Sequence, residues 1–248
     1  MSQTISASSS QLYEPVLIRG MSSEIGLALA AGIKKQGGRA FGLCRSQESL
    51  LAVRRAGFDG AVVEKPEDLP SFIGRDADRP LGFVDLAHSR TESLLASLPP
   101  DKIDAWAMED IALRARWLRS AVRMMLPGRK GRCLFLSSTA AAAPAKGQAY
   151  YAAAKAAGES LYASTGLEMG AYGITACSLR CGWLDAGRGK EHIAGAKARY
   201  EQSIPTGRLV SLDEAAETLL FLLSEKAASF NAATLTLDGG FTMAKQMV

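Results

Sequence analysis

Sulfur and imidazole chemistry are scarce in this 248-residue chain. Its four cysteines, Cys44, Cys133, Cys177 and Cys181, form no Cys-x-x-Cys pair and are too few for a disulfide scaffold of this length. Cys177 and Cys181 fall near an expected strand, where reduced, buried thiols are the ordinary state. This usage points to a reducing, cytoplasmic compartment. The two histidines, His88 and His192, match no metal-ligand spacing, so no metal site is expected. No apolar stretch approaches the roughly 20 residues of a membrane span. The Ser-rich start has neither a basic opening nor an apolar run, and residues 1–13 read as a loose tail, not a signal peptide. The net charge is only +4, with no dense Lys/Arg run and no basic–aromatic interleaving. Nucleic acid and membrane are therefore not expected partners; a solvated mixed surface is.

What the chain does have is 48% hydrophobic residues, enough for a large core, in an alternating order of elements. Pro15-Val16-Leu17-Ile18, a run ending at Gly20, reads as a buried strand, and Ile25–Lys35 has helical apolar spacing that stops at Gly37-Gly38. A strand over 39–44, a helix over 49–55, a strand over 61–63 and a strand over 81–86 follow. A long helix is expected over about 101–125, then a strand over 132–136, a helix over about 148–169 and a strand over 174–179. Ser211-x-x-Glu214 is a capping box that starts a helix over 213–224. A last strand over 233–237 is closed by Asp238-Gly239-Gly240. The Ala-rich run 140–143, with Pro144 and Gly147, reads as a loop. Regular strand–helix alternation predicts an α/β fold: one domain over 14–248 with a doubly wound, parallel, seven-stranded Rossmann-like sheet and helices on both faces. No internal repeat and no linker is found.

Four short features carry chemistry. Gly20-Met21-Ser22-Ser23-Glu24-Ile25-Gly26 joins the first strand to the first helix, where backbone N–H groups and a helix N-terminus can meet a pyrophosphate. Arg45 follows the second strand, the place that faces an adenosine ribose; an acid there binds ribose hydroxyls, and an Arg holds a 2′-phosphate. Tyr151-x-x-x-Lys155 puts a phenol and an ammonium on one helix face. The ammonium favours the phenolate, which lowers the phenol pKa toward working pH and suits it to protonate a ketone oxygen. Tyr150 is a neighbouring competitor without a Lys at the fourth position. Ser137-Ser138 ends the fifth strand, at the carboxyl edge where ligands bind in open α/β sheets. Each feature also has an ordinary structural reading: a tight turn, a surface Arg, a helical pair, a strand-ending serine.

Taken together, in this order and spacing, the four resemble the short-chain dehydrogenase/reductase family over nearly the whole chain after the tail. Pro205-Thr206-Gly207-Arg208, Phe221-Leu222-Leu223-Ser224 and Leu237-Asp238-Gly239-Gly240 extend the resemblance to the C-terminus. Within the family the chain looks most like β-ketoacyl-[acyl carrier protein] reductases. The resemblance implies NADP(H)-dependent reduction of a 3-ketoacyl thioester or another ketone, possible acyl carrier protein as partner, and a homotetramer or homodimer built on helices 101–126 and 148–169. It implies Ser138, Tyr151, Lys155 and Asp110 as catalytic residues. Gly20, Ser22, Ser23, Ile25, Gly26, Arg45, Asp85, Ala87, Tyr151, Lys155, Gly182 and Leu184 are implied to hold the cofactor. Arg129, Lys130 and Arg132 form a basic cluster that either meets an acidic carrier protein or solubilises a loop.

Departures from the family pattern matter. Arg19 stands where the family has Thr, and Glu24 where it has Gly; Glu24 is expected to turn to solvent. Asp85-Leu86-Ala87-His88 replaces Asn-Asn-Ala-Gly. Asp110 replaces the catalytic-helix Asn and is expected to pair with Lys155 through water. Cys181 replaces Pro. His88 either narrows the site, carries a proton or packs. The changed neighbours suggest a specialised acyl or polyketide-like pathway, and they leave two alternatives open: a catalytically impaired partner subunit, and an NAD-dependent alcohol dehydrogenase. Residues 183–202 are expected to cover the substrate as a mobile segment.

Overall fold

The computed structural model describes residues 12, 13, 15–73, 82–89 and 91–246. Seven strands, β1 (Val16–Arg19), β2 (Ala40–Cys44), β3 (Asp59–Val62), β4 (Gly82–Asp85), β5 (Gly131–Ser138), β6 (Ile174–Cys181) and β7 (Ala233–Leu237), form one sheet. Their order is β3-β2-β1-β4-β5-β6-β7, and every pairing is parallel. The order reverses between β1 and β4, which opens a crevice at the carboxyl ends of these strands. Leu81, expected in the fourth strand, and residues 1–11 lie outside the described residues. Leu12 and Tyr13, expected in the tail, are instead buried; Leu12 bridges to Ser224 and the Tyr13 N–H donates to the Leu223 carbonyl.

Alternation along the strands explains the two cores. Val16, Ile18, Val84 and Leu134 point to one face; Leu17, Phe83, Cys133 and Phe135 point to the other. The first face is covered by α1 (Glu24–Lys35), α2 (Gln47–Arg55) and, later in the chain, Leu212–Leu222, through Leu29, Ile33, Val53 and Leu219. The short helix α3 (Leu69–Ile73) adds Leu69 to the second face. The long helix expected over 101–125 forms without interruption, as α4 (Pro100–Trp106), a π-helical turn Ala107–Ala112, and α5 (Leu113–Met125). The widened turn rotates Asp110 inward, and such turns favour functional sites. The helix α6 (Ala149–Met169) runs beside α5 on the second face.

Residues 183–202, expected to be a mobile cover, contain two short helices, α7 (Gly187–Ile193) and α8 (Lys197–Gln202). Their anchor is Trp183, whose ring stacks on His192 (5.4 Å), meets Tyr200 (4.5 Å) and sits edge-on to Phe241 (6.4 Å). Aromatic packing at this density orders a segment whose glycines suggest mobility. The helix of the Ser211 capping box is α9 (Leu212–Leu222), and α10 (Phe241–Gln246) ends the described chain. Thr139–Ala141, inside the expected Ala-rich loop, forms a 3₁₀ turn capped by Ser138.

Gly158 of α6 lies against Phe135 of β5: a Cβ at this position would stand 2.3 Å from the ring. Phe135 is fully buried and stacked on Tyr162 at 5.3 Å, so it has little room to yield. Gly158→Ala is therefore expected to destabilise the fold by about 1–3 kcal/mol through overpacking, beyond the roughly 1 kcal/mol that helix propensity returns. Thermal unfolding of the purified variant checks this; an unchanged or raised Tm would contradict the close α6–β5 contact.

Candidate active site

A cleft of about 1190 Å³ runs across the carboxyl ends of β1, β4, β5 and β6. One end is built by the turn after β1. Gly20 has φ +86°, and a Cβ there would come within 3.1 Å of the Ala87 nitrogen, so only glycine lets this turn lie against the segment after β4. The Gly20 carbonyl accepts the Ser23 hydroxyl (2.8 Å) and N–H (3.2 Å). Ser23 then caps α1 by accepting the Gly26 N–H. Ser22, Ser23 and Ile25 line the cleft around the N-terminus of this twelve-residue helix. Glu24 is exposed, as expected, but it also lines the cleft rim. Arg45 lines the same end and pairs with Glu109 of the π-turn at 3.3 Å, with 83% of its side chain exposed.

At the other end stand Ser138, Tyr151 and Lys155, all lining the cleft. The strand pleat separates the two serines. Both touch the cleft, but the Ser137 hydroxyl is committed to Glu159 (2.6 Å), which Arg180 also grips, while the Ser138 hydroxyl accepts the Ala140 N–H (3.2 Å). The two tyrosines separate more cleanly. Tyr150 is buried, donates to the Leu95 carbonyl (2.8 Å) and packs edge-on to Trp106, whereas Tyr151 reaches the cleft. Lys155 is almost fully buried; its Nζ donates to the Leu136 carbonyl (2.7 Å) and lies 5.7 Å from the Tyr151 ring centroid. Its methylene stem and buried ammonium put a positive charge beside the phenol in a poorly solvated wall, where it acts most strongly. Gly182, Leu184 and Cys181 complete the wall; burial pushes the Cys181 thiol up to about 12, so it is a neutral packing group.

Three expected site residues do not line the cleft but lie behind it: Gly26, Asp85 and Asp110. Gly26 is there because a Cβ would stand 2.6 Å from Met21 backbone. Asp85, expected to touch the cofactor, is fully buried between two arginines. Arg19 Nη1 reaches both its oxygens (3.0 and 3.2 Å), Arg114 Nε reaches Oδ2 (3.1 Å), and the Ala87 N–H donates to Oδ1 (3.1 Å). Arg114, which the sequence reading missed, also donates through Nη2 to the Ala87 carbonyl (2.9 Å) and through Nη1 to the Asp110 carbonyl. The signal that could have found it is Asp110-x-x-x-Arg114, an i,i+4 charge pair on a helix otherwise turned inward.

Asp110, expected to reach Lys155 through water, commits its direct contacts elsewhere. Its Oδ1 accepts the Ser89 N–H (2.8 Å) and its Oδ2 accepts the Ser89 hydroxyl. It thereby fixes the segment that carries His88. The Nδ1 of His88 meets the Ser89 carbonyl at 2.7 Å, and since a carbonyl only accepts, this contact assigns the proton to Nδ1. The His88 ring stands edge-on to Tyr151 at 5.9 Å and lines the cleft, so it packs on the tyrosine and narrows the site.

The basic cluster breaks up in space. Arg132 is fully buried and holds the Leu222 and Phe230 carbonyls and the Thr175 hydroxyl; it cannot meet a partner. Lys130 pairs with Glu225 (2.7 Å), and Arg129 reaches the Ala171 carbonyl (2.8 Å). Among the described residues no group of three His, Cys, Asp or Glu side chains is placed to hold a metal, and no helix is long and apolar enough to cross a membrane.

Burial opposes ionisation of Asp85, but Arg19, Arg114, Lys155 and the Ala87 N–H outweigh it and hold the carboxyl below its ordinary range. A depressed native pKa means stability that is present above the unfolded value near 3.9 and lost as pH falls through the native one. Asp85→Asn, which leaves two buried guanidinium groups without their counter-ion, is expected to cost roughly 3–5 kcal/mol at neutral pH. Urea unfolding at several pH values checks this: the deficit against wild type should narrow below about pH 4. A deficit independent of pH would remove the charge from the explanation.

A family model described as enoyl-(acyl carrier protein) reductase matches residues 104–242. The 3-oxoacyl-[acyl-carrier-protein] reductase FabG of Pseudomonas aeruginosa is 28% identical over 242 residues, covering 92% of this chain and 96% of the relative. The FabG of Escherichia coli is 26% identical over 236 residues, with the same coverage. Among solved structures, a variant of the actinorhodin polyketide ketoreductase with NADPH superposes with a TM-score of 0.83 at 24% identity, covering 92% of this chain and 97% of that one. A gluconate 5-dehydrogenase from Burkholderia cenocepacia in complex with NADP and tartrate gives 0.83 at 23% identity, covering 95% and 97%.

Proposed function

Because the chain belongs to the short-chain dehydrogenase/reductase family, we propose that it is an NADPH-dependent reductase of a ketone, with a 3-oxoacyl thioester on acyl carrier protein as the model substrate. One observation carries this reading: Ser138, Tyr151 and Lys155 share one wall of a cleft whose far end is the Gly20 turn and the start of α1. That far end fits a dinucleotide. The glycine turn lies tight against the segment after β4, and the N-terminus of the twelve-residue helix α1 opens beside it, where a helix end favours a pyrophosphate. Gly20, Ser22, Ser23 and Ile25 would hold the phosphates, with Gly26 packing the turn; Arg45 would hold the 2′-phosphate; Ala87, Lys155, Gly182 and Leu184 would flank the nicotinamide half. Bound NADPH supplies the hydride.

The protein's residues do the rest. The Ser138 hydroxyl holds the ketone oxygen, the Tyr151 hydroxyl gives it a proton, and the Lys155 ammonium makes the phenol a better donor by stabilising the phenolate left behind. Asp110 and Asp85 act from behind, through Ser89 and Ala87, by fixing the segment that carries His88 against Tyr151. The intact trio favours this reading over an impaired partner subunit, and Arg45, with no acid beside it on its own turn, favours NADP over NAD. A cytoplasmic homotetramer or homodimer completes the proposal. Exposed Met108 and Leu167 are apolar surface that the pairing of the 101–126 and 148–169 regions would cover.

Tyr151→Phe is expected to slow ketone reduction by about 10²–10⁴-fold, the range for loss of a positioned general acid. NADPH oxidation followed by absorbance, over 3-oxoacyl thioesters and simpler ketones, checks it; a wild type no faster than the variant on every ketone would end the reductase reading.

Cofactor choice has its own check. Arg45→Asp removes the cation for a 2′-phosphate and adds a repelling carboxylate, so the preference for NADPH over NADH should fall by about tenfold or more. Calorimetric titration with both cofactors measures it directly. Unchanged relative affinities would place the 2′-phosphate elsewhere.

A further inference from the structure

The substrate half of the cleft has a wall that the catalytic residues do not use. Its last element is α10, held in place by Asp238, which accepts the Gly240 and Thr242 N–H groups at 2.8 Å each. Phe241 and Lys245 are four residues apart on α10, share a face, and both line the cleft. Phe241 meets Trp183 of the opposite wall, as described above. Lys245 reaches across to the segment between Ser138 and Tyr151, where its Nζ donates to the Ala143 carbonyl (2.7 Å) and the Pro144 carbonyl (3.1 Å). Its side chain stays exposed, and an ammonium has three donors, so two carbonyls leave it a third.

Charge is distributed unevenly along the cleft. Its lining carboxylates are Glu24, Glu64 and Glu109, around the Gly20 turn, β3 and the π-turn, and Glu92, on the segment after β4 whose Ser93 bridges to Gln148. The three substrate walls, 139–148, 181–192 and α10, bring no carboxylate to the lining among the described residues. Arg19 and Arg45 are paired with Asp85 and Glu109, and Lys155 belongs to the proton chemistry. Lys245 is held by two neutral carbonyls and by the Phe241 ring, 5.8 Å from its Nζ, and among the described residues no carboxylate pairs with it. A cation held this way keeps its full charge at the rim of an apolar, aromatic chamber.

We propose that Lys245 is a substrate-binding and specificity-determining residue, selecting ketones that carry an anionic group, carboxylate or phosphate, beyond an apolar body that rests on Phe241 and Trp183. The inference rests on the reductase reading and deepens it. The anion has two possible sources, the phosphate of a phosphopantetheine arm or a carboxylate at the far end of the acyl chain. Both would meet the third donor of the ammonium in a charge-assisted bond.

The test uses matched substrates on the full-length protein with saturating cofactor. One pair is acetoacetyl-phosphopantetheine against acetoacetyl-pantetheine; the second is a pantetheine thioester of a 3-oxoacyl chain ending in carboxylate against one ending in methyl. The variant is Lys245→Gln, whose amide still donates to the Ala143 and Pro144 carbonyls, so the tether is kept while the charge is lost. In wild type, kcat/KM should favour the anionic member of at least one pair by about tenfold, through KM, as expected for one charge-assisted bond. The variant should abolish that preference, and Lys245→Arg should restore most of it. The pair that responds identifies the source of the anion. Equal preference ratios in wild type and Lys245→Gln overturn the proposal, as does a wild type with no preference in either pair. If wild type turns over no ketone, the reductase reading falls, and calorimetric binding of the same four thioesters with NADP⁺ present decides Lys245 separately. An anionic preference in affinity that Lys245→Gln removes supports the site; equal affinities overturn it.

Discussion

A carboxylate with no access to water has to find its counter-charge inside the protein, and Asp85 finds two. Arg19 arrives from the adjacent end of β1 and Arg114 from α5, so one buried anion ties together two central strands and the helix that covers them. Neither guanidinium could be buried alone, and neither could the carboxylate. The same groups also satisfy the backbone where it must leave regular structure: the Ala87 N–H and carbonyl after β4, and the Asp110 carbonyl in the π-turn. The floor of the cleft is therefore a set of charges whose geometry leaves little freedom. The irregular parts of the site, the Gly20 turn and the segment bearing His88, adjoin it through Arg19, Ala87 and Asp110.

This arrangement explains why the chemistry was legible in the sequence while its support was not. Alternation of strand and helix, the glycine turn, and the pairing of Tyr151 with Lys155 are local patterns with fixed periods, and the seven parallel strands and the shared cleft wall follow from them. Tyr150 and Ser137 were sorted from Tyr151 and Ser138 only by the structure, since a one-residue offset decides which face a side chain takes and nothing local marks the outward one. The π-turn was invisible because no residue type in 107–112 marks an inserted position, and the stretch reads simply as helix. Asp85 read as a cofactor contact because its position was legible; its partners were not, since Arg19 and Arg114 lie 66 and 29 residues away. Arg132 misled in the opposite direction: a basic residue beside Arg129 and Lys130 looks like surface, yet it sits on a strand whose register buries it.

The cover over the substrate half shows a related effect. Glycines at 187, 189 and 195 suggested looseness; Gly187 and Gly195 do take left-handed backbone, but Gly189 is packed against the Leu184 carbonyl. Composition alone does not show that Trp183, His192, Tyr200 and Phe241 come together from four separate elements. Long-range aromatic contact then gives the segment an anchor that its own sequence does not contain. Because Phe241 belongs to α10, the chain's last helix shapes the chamber although it is remote in sequence from every residue of the catalytic wall.

The balanced charges under the cleft also constrain how this sequence can change. The set Arg19, Asp85, Arg114 and Asp110 sums to zero, whereas the related family places uncharged Thr and Asn at the first, second and fourth of these positions. Both sets are self-consistent, but the steps between them are not. Neutralising Asp85 alone strands two cations; neutralising Arg114 alone leaves Asp85 and the Asp110 carbonyl short of donors. Exchange between the two sets would need several simultaneous substitutions, so a single change in the floor of the cleft unbalances everything built on it.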